Sequence, residues 1–173
     1  MVEFYDGDEL LVDKVAGFLA LGALKGEGVL AIVEPRRIKA IETSLQAKGL
    51  NVADAKAKGQ LQLCDADEIL RTLLNEGEID SAATQRILGE ILTPLQARFT
   101  RIHAYGEMVS VLWGKGNARA TLQLEREWNT ICEKYRISLL CGYAMRSFDR
   151  EHDRRFIDEI YSLHDRTHKH PTP

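Results

Sequence analysis

Gly26-Glu27-Gly28-Val29-Leu30-Ala31-Ile32-Val33-Glu34-Pro35 is the stretch that decides how this chain folds. The unbroken apolar run from Val29 to Val33 lies between a glycine-marked helix end and a Glu-Pro stop. Strands buried on both faces read as continuous apolar runs, whereas strands with one wet face alternate. Gly26 and Gly28 close the helix that precedes the run. A helix, a tight turn and a doubly buried strand make one unit of a parallel α/β sheet.

The same unit repeats outward in both directions. Val2 to Asp6 is a short apolar-aromatic strand, and Asp8 to Lys25 is a helix carrying Leu11, Val15, Phe18 and Leu19. Arg36 to Lys48 is a helix with Ile38, Ile41 and Leu45 on one side, closed by Gly49. Leu61 to Cys64 is a third strand ending at Asp65, and the next helix carries Ile69, Leu73 and Leu74 as far as Gly77. Ser81 to Phe99 is a longer helix, in which Pro94 is expected to bend or break the spiral. Ile102 to Tyr105 is a fourth strand, ending at Gly106-Glu107. A short helix with Met108 and Trp113 follows, then a helix from Asn117 to Tyr135 with Leu124, Trp128 and Ile131 at helical spacing. Ser138 to Met145 is the fifth strand, and Asp149 to His164 the last helix. The expected fold is a three-layer α/β domain, a mostly parallel sheet with helices on both faces. It is expected to occupy residues 1–165, with 166–173 as a flexible tail.

Composition narrows the function. The net charge is -3 and the sequence pI about 6.0, so no basic surplus favours nucleic acid. Asp6, Asp8 and Glu9 interrupt any apolar leader, and no apolar run reaches a membrane span. A cytoplasmic protein is expected, with no direct nucleic-acid or membrane partner. Cys64, Cys132 and Cys141 match no CxxC pattern, and Cys64 and Cys141, in apolar strand-like runs, read as buried reduced thiols.

Ligands of open parallel sheets bind outside the carboxyl ends of the strands. Those ends carry Tyr5-Asp6-Gly7, Glu34, Asp65, Gly106-Glu107-Met108 and Cys141-Gly142-Tyr143. Asp6, Glu34, Asp65 and Glu107 could converge on a cation or do acid/base work, or each could cap the next helix. Glu107 stands out, because a glycine precedes it and Met108 and Trp113 could wall an apolar pocket beside it. Trp128 reads as core, and Asn129 beside it as a group able to reach a ligand. Glu125, Arg126, Glu127, Glu133 and Lys134 read as a solvated or partner-facing surface. His164, His168 and His170 raise a metal reading, but the segment is polar and ends in Pro171 and Pro173, so no metal and no cofactor is expected. A phosphate-binding GxxxxGK[ST] loop would stand between the first strand and helix, where Asp6-Gly7-Asp8-Glu9 stands instead. Those acids would repel a triphosphate, so ATP hydrolysis is not expected and no catalytic residue is assigned.

Phe4-Tyr5-Asp6, Phe18-Leu19 through Gly26-Glu27-Gly28, Gly106-Glu107-Met108, Leu124-Glu125 with Trp128-Asn129, and Leu139 to Tyr143 follow one another in an order that resembles the MEDS family. This is the sensory domain of methanogens and methylotrophs, named partly for the regulator of dichloromethane dehalogenase. The resemblance covers nearly the whole chain. It implies a RecA-like fold, related to the circadian-clock ATPases and other P-loop NTPases but lacking the P-loop and the other nucleotide-binding motifs. It also implies a sensory role with binding of a small molecule, a one-carbon or hydrocarbon derivative. The residues expected to meet that ligand, from the strand-end reading, are Tyr5, Asp6, Glu34, Asp65, Glu107, Met108, Trp113, Asn129, Cys141 and Tyr143. With no output module in the sequence, the signal is expected to pass to a separate protein, such as a histidine kinase or regulator, or through a homodimer. A degenerate nucleotide binder, a small metal-assisted enzyme and an interaction module of a kinase pathway remain as alternatives.

Overall fold

The computed structural model describes residues 1–145 and 153–165. Its main sheet has five strands: β1 (Val2–Tyr5), β2 (Gly28–Val33), β3 (Leu61–Asp65), β6 (Ile102–Gly106) and β7 (Ile137–Ala144). They lie in the order β1-β7-β6-β2-β3, and every pairing is parallel. All of β2 is buried, as its apolar run requires. Burying side chains such as Leu30, Ile32 and Val33 stabilises the fold by roughly 1.5–3 kcal/mol each.

The helices divide between the two faces. One face is covered by α1 (Asp8–Leu24), α2 (Pro35–Ala47) and α3 (Val52–Ala57), whose Leu19, Ile41, Leu45 and Ala55 share a core with Val29, Ala31 and Val33. The other is covered by α4 (Ala66–Leu73), α5 (Ser81–Arg98), α6 (Met108–Gly114), α7 (Ala118–Tyr135) and α8 (Arg154–Asp165), packed on Leu30, Ile32, Ala104 and Cys141. The three-layer α/β architecture expected from the sequence is the one found.

Several local expectations change. Pro94 lies inside α5, which runs unbroken to Arg98. The proline removes one backbone donor, but fully buried Leu92 and Leu95 flank it and hold the turn against the sheet. Leu74 does not continue α4; it opens a two-strand hairpin of β4 (Leu74–Asn75) and β5 (Glu78–Ile79). Glu76 and Gly77 turn that hairpin with positive φ. Helix α3 is additional, started by Asn51, whose side chain accepts from the Asp54 N–H. The tail at 166–173, with His168 and His170, lies outside the described residues.

The connections fix where a ligand can sit. After β2 the chain passes through α2 on one face to β3, while after β6 it passes through α6 on the other face to β7. The crevice between β2 and β6 is therefore the topological switch point, where open α/β sheets bind ligands. Gly142, on β7 beside it, has no room for a side chain, because an added Cβ would collide with the Tyr105 hydroxyl.

Candidate functional site

The switch point is bridged by Glu107. Its backbone N–H donates to the Ile32 carbonyl at 2.9 Å, continuing the β2–β6 ladder by one residue. Its side chain then turns back across the crevice, and Oε2 accepts from the Glu34 backbone N–H at 2.8 Å. Oε1 is bonded by the Arg37 guanidinium and lies 3.4 Å from the donating Tyr5 hydroxyl. Glu107 is 0% exposed and Arg37 only 2%, so this is a buried ion pair. Arg37 reaches outward as well, to Glu34 at 2.7 Å and Asp8 at 2.7 Å. Arg36 joins the same acids, bonding Asp8 and, at 2.9 Å, Glu34. Pro35 at the first turn of α2 starts the helix where both arginines project back over the strand ends.

Burial and charge compete within this network. Burial raises the Glu107 carboxyl, and the Arg37 charge and the Glu34 N–H only partly oppose it. Burial works against the Arg37 charge, but the Asp8 hydrogen bond and the Glu107 charge outweigh it and hold the guanidinium protonated. Tyr5 is pushed up to about 12, first by burial and then by the neighbouring Glu107 charge. Burial also pushes against the Glu34 charge, yet hydrogen bonds from Arg36 and Arg37 keep its carboxyl below the ordinary range.

Above the bridge lies a cavity of about 260 Å³, lined by Tyr5, Glu34, Arg36, Asp67, Ser110, Val111, Gly114, Lys115 and Ala144. Its wall presents a phenol, a hydroxyl, two cations and two carboxylates, which suits a small polar ligand. Arg36 also borders a groove of about 350 Å³ between α1 and α2, lined in part by Asp8, Val12, Arg37 and Ser44.

The residues expected at one ligand site are thus dispersed. Tyr5 and Glu34 line the cavity, and Glu107 lies beneath it. Asp6 is exposed on the turn before α1. Asp65 caps α4, accepting from the N–H groups of Asp67 and Glu68 at 2.8 and 3.1 Å. Met108 is fully buried in the core, and Trp113 stacks on Phe156 with centroids 3.9 Å apart, so neither walls the cavity. The rotation of α6 presents Ser110, Val111 and Gly114 instead. Asn129 donates to the Leu163 carbonyl at 3.2 Å, a bond between α7 and α8. Gly106 is not forced by close approach, since a Cβ there would meet Trp128 at an ordinary 3.7 Å. His103 faces Glu27 at 2.8 Å near the amino end of β6.

Cys141 and Tyr143 point to the opposite face of the sheet from Glu107. There Tyr143 donates to Glu125 Oε1 at 2.6 Å, and Cys141 Sγ lies 3.7 Å from Glu125 Oε2. Glu125 is 1% exposed, so the solvated face read for it from the sequence is corrected. It stands on the stripe of Thr121, Leu124, Trp128 and Ile131 and is covered by α8. Arg36, Ser110 and Lys115 carried no sequence signal beyond lying three to nine residues past a strand end. Arg37 could have been found from its place, three residues after Glu34.

The family model MEDS, the MEthanogen/methylotroph, DcmR Sensory domain, matches residues 1–165. The chain belongs to this sensory-domain family. Among curated proteins the search finds no match. No helix among the described residues is long and apolar enough to cross a membrane.

Proposed function

We propose that this MEDS-family chain is a non-catalytic sensory domain that binds a small polar molecule in the strand-end cavity and passes the signal to a separate protein. The observation that carries the reading is the cavity itself, set at the switch point between β2 and β6 with charged and hydroxyl groups on its wall. Drug-sized pockets span about 300–1,000 Å³. A cavity of about 260 Å³ suits an occupant of few heavy atoms, in keeping with a one-carbon or short hydrocarbon derivative. Its wall reaches the surface through Arg36, which binds Asp8 in the first turn of α1. Helix α1 exposes Leu10, Leu21 and Leu24 at spacings that share one face, a surface on which a partner can read the state of the cavity.

A thermal-shift screen tests this, using one-carbon compounds, short carboxylic acids, and ATP and ADP with and without magnesium. A ligand at 100 times its Kd stabilises a folded protein by about 2.7 kcal/mol. The expected result is a shift with a small compound that Ser110→Ala and Lys115→Ala abolish. A shift that survives both substitutions places the ligand elsewhere. Micromolar ATP binding lost in Glu107→Gln replaces this reading with a nucleotide binder.

A further inference from the structure

On the face of the sheet opposite that cavity, three side chains from α7, β7 and α8 aim ligand atoms at one point. Glu125 Oε2, Cys141 Sγ and a ring nitrogen of His164 all lie within 4.8 Å of one another. The three residues are 1%, 0% and 6% exposed. Sγ is 3.7 Å from Oε2, and His164 Nε2 is 3.5 Å from the same oxygen. Ligands at about 2.3 Å (sulfur) and about 2.0 Å (oxygen or nitrogen) around tetrahedral zinc stand roughly 3.3–3.5 Å apart. The two separations measured from Oε2 are within a few tenths of an ångström of those values, and Sγ and the ring nitrogen lie within 4.8 Å of each other.

Without a metal the Cys141 thiol donates to Oε2 and His164 Nε2 faces it, and the same orientations suit a cation. His164 Nδ1 lies 2.8 Å from the Ile160 carbonyl, which can only accept, so Nδ1 carries the proton. Nε2 is then the ring nitrogen turned to the carboxylate, 3.5 Å from Oε2. Backbone bonding at one ring nitrogen is how metal-binding histidines are commonly held. Tyr143 occupies the other carboxylate oxygen at 2.6 Å and fixes the rotation that aims Oε2 inward. Among the described residues Glu125 forms no ion pair with Lys or Arg, whereas Glu107 has Arg37. A carboxylate buried this deeply requires a proton or a cation.

We propose that Glu125, Cys141 and His164 bind a divalent metal of the zinc class, leaving a fourth position for a small exogenous ligand. Mixed sulfur, nitrogen and oxygen donors suit zinc or cobalt rather than calcium or magnesium. Binding displaces the Cys141 thiol proton to solvent, and thiolate plus carboxylate then balance the dication. The site is separate from the strand-end cavity, so either can fail without the other.

The test uses the full chain, stripped with a chelator, refolded with zinc or cobalt and desalted. About one metal per chain is expected by elemental analysis. The cobalt form is expected to show a thiolate-to-cobalt charge-transfer band and the intense visible bands of tetrahedral cobalt. Cys141→Ala should remove the charge-transfer band, while Cys64→Ala should keep it. Tyr143→Phe, which deletes only the carboxylate's anchor, should weaken retention by about 10- to 100-fold. Wild-type protein that is folded by circular dichroism yet retains under about a tenth of an equivalent, with no band, overturns the proposal. So does a band that persists in Cys141→Ala.

Discussion

Glu107 and Glu125 are both glutamates buried against the same sheet, 0% and 1% exposed, but the chain neutralises them differently. Glu107 is paired with Arg37, which Asp8 and Glu34 tie in turn to the surface. Glu125 is surrounded by Tyr143, Cys141 and His164, groups that can each give up or take a proton. Burial raises both carboxyls above their ordinary value. The arginine opposes the rise at Glu107 with a fixed charge, whereas at Glu125 the opposition comes first from His164 and then from the Tyr143 and Cys141 hydrogen bonds. One site has a permanent cation built in; the other relies on groups that exchange protons.

The largest expected effect follows from removing the fixed charge. Breaking a buried pair from one side leaves an uncompensated ion and costs about 3–5 kcal/mol. Arg37→Met should therefore destabilise the fold by about that amount in denaturant unfolding. The double variant Arg37→Met with Glu107→Met should recover most of the loss, because the desolvated charge goes too. A loss below about 1 kcal/mol in Arg37→Met would place the pair among exposed salt bridges and dissolve the contrast.

The fold was legible in the sequence because strands buried on both faces betray themselves as apolar runs. Val29 to Val33 and Leu139 to Tyr143 each end at a strand end, and the ligand-binding crevice follows from topology. Tyr5 and Glu34 were placed at the cavity by that rule alone. What was not legible depends on where helices land. Met108 and Trp113 flank the cavity-lining Ser110 and Val111 in sequence, but the rotation of α6 buries Met108 and turns Trp113 onto the core instead. Glu125 reads as surface beside Arg126 and Glu127, although its spacing from Thr121 and Trp128 puts it on the buried stripe. His164 completes the cluster only because α8 packs against α7, a contact between segments far apart in sequence.

A paired comparison of phenols sharpens the contrast at intermediate size. Tyr143 is bonded to Glu125, whereas the Tyr105 hydroxyl is buried without a partner among the described residues. Burial drives both phenols well above their ordinary pKa, and neighbouring Glu125 and Glu107 charges, respectively, add to it. A hydrogen bond to a carboxyl that keeps its proton contributes about 0.5–1.5 kcal/mol, and a buried hydroxyl bonded to nothing costs its own desolvation. In protein held in chelator, Tyr143→Phe should destabilise by about 0.5–1.5 kcal/mol, whereas Tyr105→Phe should leave stability unchanged or raise it. Equal losses at the two positions would mean that Tyr105 also has an acceptor, and the two faces would no longer differ in this respect.

The smallest effect concerns pH. Glu125 stands above its unfolded value, about 4.3 for a free glutamate, chiefly because of burial. A raised carboxyl binds its proton more tightly in the folded state. Its contribution to stability is complete below the unfolded value and is lost as pH rises through the folded one. A glutamine side chain cannot titrate, so the wild-type advantage over Glu125→Gln, measured by urea midpoints in chelator, should shrink steadily from about pH 4 upward. Cys141 and Tyr143 stand far above that window and do not contribute to it. The imidazole faces the carboxylate, so the same pair of curves in a His164→Gln background isolates the carboxyl. An advantage that grows with pH would mean that Glu125 is ionised and already held by a cation, making it a second Glu107. Adding zinc to the wild type should reverse the slope, since metal binding strengthens as its ligands lose their protons.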